Sequence, residues 1–314
     1  MSNMQIAILG ECMVELQQQQ PGLLSRKFGG DTLNTAIYMA RLTQKADVQI
    51  SYFTGLGHDT FSQEMLLTWK NEGIDTRYVQ QIEGKLPGLY LIETDETGER
   101  QFRYWRNDSA AKYFLEQKNS DQLIHSLSQF NWIYLSGISL AILTPTSRKN
   151  LLVTLQEAKN NGSHIVFDNN YRPALWDNKE QAQKAYSQVL KLTDLALLTF
   201  DDEIALYQEH SIGECVERTH NFGVQDIIIK MGADPCHLFV EDKHYTVAAN
   251  KLDKSKIIDT TAAGDSFGAG FMAAMLLGKS YQVAARWGHQ LAGTVIQYKG
   301  AIIEVDAMPT LTDD

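Results

Sequence analysis

The sequence predicts an α/β protein: a mostly parallel central sheet flanked by helices, with a small β-sheet added to it. Short apolar runs of strand length alternate with stretches of helical periodicity along most of the chain. Continuous apolar runs suit strands buried on both faces, and their alternation with helices is the pattern of parallel βαβ units. Several runs end in polar or glycine-containing loops, and one interval, 89–106, breaks the alternation with the signature of a long hairpin.

The chain begins with Gln5-Ile6-Ala7-Ile8-Leu9, closed by Gly10, a buried parallel strand. Met13-Val14-Glu15-Leu16 alternates as a half-exposed strand does, and the four glutamines at 17–20, before Pro21-Gly22, read as a polar turn. Gly29-Gly30 feeds a helix over 32–42, with Leu33, Ile37, Ala40 and Leu42 at roughly helical spacing. Asp31 and Asn34 fall at its first turn, placed either to hold substrate hydroxyls or, as Asp31 alone suggests, to cap the helix. A strand at 48–54, Gly55-Leu56-Gly57 and a helix at 60–72 follow.

The hairpin at 89–94 and 100–106 turns at Asp95-Glu96-Thr97-Gly98. In its second arm Gln101, Arg103 and Trp105 share one face; Arg100, Phe102, Tyr104 and Arg106 share the other. It reads either as a lid carrying recognition groups or as an exposed hairpin whose aromatics pack on their own sheet.

From Asn131 the alternation returns. A strand at 132–135 ends in Ser136-Gly137, and a helix at 145–160 has Pro145 in its first turn. Strands at 165–167, 195–198 and 227–229, with a helix at 179–192, deliver Asp168-Asn169-Asn170-Tyr171-Arg172, Thr199-Phe200-Asp201-Asp202-Glu203 and Lys230-Met231-Gly232-Ala233-Asp234. In open parallel sheets ligands lie at the carboxyl ends of strands, so these loops should line one cleft. A second hairpin (237–240 and 244–247) and a closing helix over 281–298, bearing Trp287 and His289, complete a single domain without internal repeats.

The chain has 314 residues, 44% hydrophobic and 21% charged, with a net charge of −10 and no basic run, which argues against a nucleic-acid partner. Cys12, Cys215 and Cys236 have no metal-binding spacing and read as reduced thiols. No secretory signal or membrane span is read, so the expected compartment is the cytoplasm.

The chemistry centres on Asp259-Thr260-Thr261-Ala262-Ala263-Gly264-Asp265, a small-residue turn before an apolar helix at 266–277. Such a turn leaves backbone N–H groups unpaired at the positive end of a helix dipole, a phosphate-sized anion site. Asp265 among those donors is expected to be held ionised, ready to accept a proton from a hydroxyl, or else to cap the helix. A Walker loop, Gly-x-Gly-x-x-Gly, His-Glu-x-x-His and Gly-x-Ser-x-Gly are all absent. What remains suits phosphoryl transfer, in which positioning and charge stabilisation dominate.

Asp259-Thr-x-Ala-Ala-Gly-Asp265-x-x-x-Ala-Gly270 resembles the C-terminal signature of the ribokinase (PfkB-type) carbohydrate kinase family. Gly29 to Ala36, followed by Gly55-Leu56-Gly57, resembles its N-terminal signature. Gly10-Glu-Cys-Met13, Leu86-Pro-Gly-Leu-Tyr90, Tyr104-Trp-Arg-Asn107, Ser136-Gly-Ile-Ser139, Asp168-Asn-Asn-Tyr-Arg-Pro173 and Gln297-Tyr-Lys-Gly-Ala301 resemble the family's bacterial branch acting on 2-keto-3-deoxygluconate.

The resemblance implies a ribokinase-like fold spanning 1–314, with lid strands from about 12–20 and 88–106, and ATP with Mg²⁺ as cofactors. It implies Asp265 as catalytic base and the N–H groups of Ala262, Ala263 and Gly264 as an anion hole. Gly30, Asn34, Tyr90, Tyr104, Arg106 and Arg172 would bind the sugar; Asn170, Lys230, Gly232, Ala233 and Gly264 would bind ATP, with 289–293 flanking the adenine. Members of the family carry Asn-x-x-Glu near the magnesium; here the frame falls on Phe200 to Ile204, and Asp201, Asp202 and Glu203 are the candidate acids. Arginine suits a sugar-acid carboxylate, so Arg106 is either its reader or the surface partner of Asp108 or Glu99. Trp105 opposite Tyr104 on the lid suggests a homodimer or larger. A fructokinase- or ribokinase-like activity, or a non-catalytic sugar-binding regulator, is the other reading.

Overall fold

A computed structural model describes residues 4–20, 22–94, 100–117 and 120–313. The turn expected at 95–98, Glu99 and Pro21 lie outside them.

The large sheet begins with β1 (Met4–Leu9), which pairs in parallel with β4 (Val48–Leu56) on one side and β8 (Trp132–Ser136) on the other. Beyond β8 come β9 (His164–Asp168), β10 (Leu195–Thr199) and β11 (Asp226–Met231), all parallel. An antiparallel edge of β12 (Asp234–Val240) and β13 (Lys243–Val247) closes one end; β5 (Val79–Gln81) closes the other. The order is β13-β12-β11-β10-β9-β8-β1-β4-β5. Strand order therefore reverses at β1, and a crevice opens beside the carboxyl ends of β1, β8 and β9.

Period-2 alternation divides the sheet between two cores. Ile6, Ile8, Leu197 and Ile228 face α1 (Asp31–Thr43), α2 (Thr60–Asn71), α9 (Ala263–Leu276) and α10 (Tyr281–Val295). Ala7, Leu9, Leu198 and Ile229 face the opposite layer. That layer holds α3 (Ser120–Leu127), α4 (Gly137–Ile142), α5 (Pro145–Asn160), α6 (Lys179–Leu190), α7 (Phe200–Tyr207) and α8 (Ile212–Asn221).

The small sheet has the order β3-β2-β6-β7. Its strands are β2 (Met13–Gln20), β3 (Leu23–Gly29), β6 (Gly88–Thr94) and β7 (Arg100–Trp105). Two expectations fail here. The glutamines at 17–20 form no turn but continue β2, because β3 supplies partners as far as Gln20 and β6 as far as Gln17. Met13, Val14 and Glu15 are buried rather than half-exposed, since β2 is an inner strand with neighbours on both sides. The helix expected at 266–277 begins at Ala263, within the small-residue turn itself.

Candidate active site

Asp265 lies in the first turn of α9, whose cap, Ala262, makes no side-chain cap bond. The carboxylate reaches out of its helix instead: Asn34 Nδ2, from the first turn of α1, donates to Asp265 Oδ2 at 2.8 Å. Thr35 Oγ1 touches the Asp265 carbonyl at 3.3 Å, so α1 and α9 are joined where both begin. Asp31 is likewise more than a cap. Its Oδ2 accepts from Ser136 Oγ at 2.6 Å and Asn170 Nδ2 at 2.8 Å, binding α1 to the ends of β8 and β9. Asn170 reaches it from a left-handed backbone, φ 27°. Lys230, at the end of β11, donates to Asp168 Oδ2 at 2.7 Å, and Tyr134 OH sits 3.3 Å from the same oxygen.

The electrostatics correct one expectation. Asp265 is not held ionised by its helix: desolvation, then the Asp31 charge, push it up to about 7, against the Asn34 hydrogen bond and Lys230. Desolvation outweighs the helix dipole here. Asp31 is also raised by burial, with Ser136 and the Thr32 N–H pulling it back. Two partly buried acids, one raised by the charge of the other and beside a lysine, form a poised proton-accepting site.

The anion hole also shifts. The Ala263 N–H is spent on the Thr260 carbonyl at 3.2 Å, and the ladder of α9 begins with Ser266 N–H on Ala262 O at 2.9 Å. Gly264 and Asp265 therefore present the N–H groups ahead of the ladder, and of the expected donors the Ala263 N–H is already engaged. Lys230 Nζ lies 3.9 Å from where a Cβ on Gly264 would stand, so the strand-end lysine faces the turn. Gly232, at φ 62°, and Ala233 make the exposed turn into β12, at the rim. His289 is a core histidine, its Nε2 3.1 Å from the Val247 carbonyl. Beside it a cleft of about 410 Å³ is lined by Ala248, Asn250, Leu252, His289 and Gly293.

On the sugar side, Gly30 packs against the Glu11 carbonyl and leaves no room for a side chain. Tyr90 is buried, with its OH on Glu15, and its ring lies 5.8 Å from that of Tyr104. Arg106 pairs with neither Asp108 nor bulk solvent: its Nη2 is bound to the buried Glu11, while Lys85 takes Asp108 at 2.5 Å. Arg106 lies over the Tyr104 ring at 5.9 Å. Arg172 is half-exposed and 3.5 Å from Asp202; burial raises the Tyr104 phenol, against the charges of Arg106 and Arg172.

A sequence profile of the pfkB family carbohydrate kinases matches residues 3–308. The chain belongs to the pfkB carbohydrate kinase family. A 2-dehydro-3-deoxygluconokinase from Dickeya dadantii is 52% identical over 98% of this chain and 100% of that protein. Another from Haemophilus influenzae is 42% identical over 98% of each chain. A fructokinase from Xylella fastidiosa, solved with bound ATP, shares the fold with a TM-score of 0.82 at 21% identity, covering 98% of this chain and 96% of that one.

Among the three acids considered for magnesium in this kinase, Glu203 is committed elsewhere. It is buried, accepts from Asn169 Nδ2 at 2.7 Å and pairs with Arg218, which also holds Glu209 at 2.5 Å. Burial pushes Glu203 up to about 7 despite these partners. Glu203, Glu209 and Cys215 have the spacing of a metal cluster, but Arg218 already supplies the cation. Asp201 is exposed. Asp202 accepts from the Tyr171 N–H at 3.1 Å and lies in the fields of Arg172, Lys230 and Asp168, making it the acid that faces the cleft. Ser136, Asp168 and Glu11 were not assigned roles from the sequence. Ser136 and Asp168 end β8 and β9, and Glu11 lies two residues beyond β1, so all three fall where the crevice rule would have pointed.

Proposed function

We propose that the protein transfers the γ-phosphoryl group of ATP to the 6-hydroxyl of 2-keto-3-deoxygluconate (2-dehydro-3-deoxygluconate), giving the 6-phosphate. The observation that carries the chemistry is Asp265: a partly buried carboxylate at a helix start, oriented by Asn34 and poised near 7. The substrate reading rests on relatives 52% identical over almost the whole chain.

In this reading Asp265 takes the proton of the attacking hydroxyl, and the N–H groups of Gly264 and Asp265 meet charge on the transferring phosphoryl group. Lys230, steadied by Asp168, neutralises phosphate charge, and the cleft beside His289 takes the adenine. Asn170 serves the nucleotide side less directly, by holding Asp31. Mg²⁺ arrives with the ATP phosphates and neutralises them; Asp202 is the carboxylate that would hold it through water. Gly30 and Asn34 form the sugar floor, and Tyr90, Tyr104, Arg106 and Arg172 face it from the small sheet and the end of β9. The whole chain acts as one catalytic unit, with the small sheet as its lid.

An ADP-release assay with 2-keto-3-deoxygluconate, fructose and ribose tests this; preference for a neutral sugar would overturn the substrate. Asp265→Asn should lower kcat about 10²–10⁴-fold with ATP affinity kept. The exposed Trp105 on the lid supports a homodimer or larger assembly, and a monomeric mass by light scattering would refute it. Three free, buried cysteines support the cytoplasm as its compartment.

A further inference from the structure

We propose that Glu11 is a positioning residue for carboxylate recognition: it fixes the Arg106 guanidinium at the base of the lid before substrate arrives. The inference rests on the sugar-acid reading above and deepens it. Glu11 lies two residues past β1, and Arg106 follows β7, so the pair ties the large sheet to the small one. Both partners are out of water, with side chains 1% and 8% exposed.

A buried ion pair is weak evidence for stability, because desolvation offsets the attraction, and apolar residues of the same volume often serve as well. Here the pair is also incomplete. Glu11 Oε1 and Arg106 Nε are buried without a hydrogen-bond partner. A pair that existed only for stability would satisfy its own atoms; this one leaves a donor of the guanidinium unused.

The surroundings are shaped to keep it. A Cβ on Gly88 would meet Glu11 Oε1 at 2.7 Å, Met13 Cγ at 3.0 Å and Arg106 Cβ at 3.1 Å, so only glycine leaves the pair its room. The Glu11 carbonyl packs on Gly30, the expected sugar floor, and the Arg106 charge reaches Asp31. One residue thus sets both the floor and the arginine above it. A free arginine loses rotamer freedom when it binds a carboxylate; one already held loses less, and binds more tightly for the same contacts.

Two conservative variants separate position from charge. Glu11→Asp keeps the charge but shortens the reach by one methylene; Glu11→Gln loses the charge but keeps an oxygen where Nη2 donates. Steady-state assays of the full chain with 2-keto-3-deoxygluconate should show KM raised about tenfold in Glu11→Asp and about threefold or less in Glu11→Gln, with kcat within about threefold in both. With the carboxamide of the same sugar acid as substrate, Glu11→Asp should leave KM unchanged. In an Arg106→Ala background, Glu11→Asp should add nothing further. Unchanged KM in Glu11→Asp, the reverse order of the two variants, or additivity with Arg106→Ala would overturn the role of Glu11. Absence of turnover by the unaltered protein would instead overturn the substrate reading.

Discussion

Asp265 is charged with accepting a proton and yet is built to keep one. Burial and Asp31 raise it from 3.8 to about 7, so the free enzyme gains its base only as pH rises through that value. The profile of kcat/KM should therefore climb with pH and level off above about 7, and an acid limb absent there would remove Asp265 from the role. The same shift is a statement about folding. Between about 4 and 7 the native state binds a proton that the unfolded chain has released, so stability from this group is full below 3.8 and falls as pH rises to about 7. Asp265→Asn has no such loss. Its Tm should exceed that of the unaltered protein at pH 8, and the two should converge near pH 4, as calorimetry would show. The residue was legible in the sequence because its signature is contiguous. Its ionisation was not, because the acid that perturbs it, Asp31, lies 234 positions earlier and arrives only through the packing of α1 on α9.

At the scale of elements, α9 brings Asp265 into place, and α10 holds α9. Their crossing depends on glycines at the contact. A Cβ on Gly270 would come 2.7 Å from the Trp287 carbonyl and 3.0 Å from Gly288 Cα; one on Gly288 would come 2.9 Å from Phe267. These obstacles are backbone and a buried ring, which cannot swing aside. Gly270→Ala should therefore destabilise the fold by about 1–3 kcal/mol, the range for overpacking, despite alanine's better helix propensity. Urea unfolding gives the value, and a stabilised Gly270→Ala would show that the crossing has slack. The sequence disclosed both helices, the first from its small apolar composition, but not the crossing, since nothing local marks which glycine meets which. The glutamines of β2 make the same point in reverse. Their composition argued for a turn, and pairing with β3, joined at Gln17 by β6 from far along the chain, keeps them extended.

In the whole molecule, the proposed reaction divides its substrates between the two sheets. The phosphate groups would be met by the large sheet and its helices, through Lys230, Gly264 and Asp265; the sugar acid would be met on the start of α1 by Tyr90 of β6, Tyr104 of β7 and Arg106 just after it. The large sheet was legible where its parallel strands are local apolar runs, while β5, Val79–Gln81, carries no such run and was not read. The small sheet was only half legible, because β2 pairs in parallel with β6 across some seventy intervening residues, and β3 carries no strand signal of its own. The division predicts separable ligand effects. A ligand that binds only the native state raises stability by about 2.7 kcal/mol at a hundredfold excess over Kd. The sugar acid and an ATP analogue with Mg²⁺ should each raise Tm in the unaltered protein. Arg106→Ala should lose the shift from the sugar acid and keep that from the nucleotide; Lys230→Gln should do the reverse. Each variant leaves a buried carboxylate, Glu11 or Asp168, without its cation and so starts from a lower Tm, which makes the ligand-induced difference the quantity to compare. Loss of both shifts in either variant would mean that the two sheets bind as one unit, with neither substrate held until both are present.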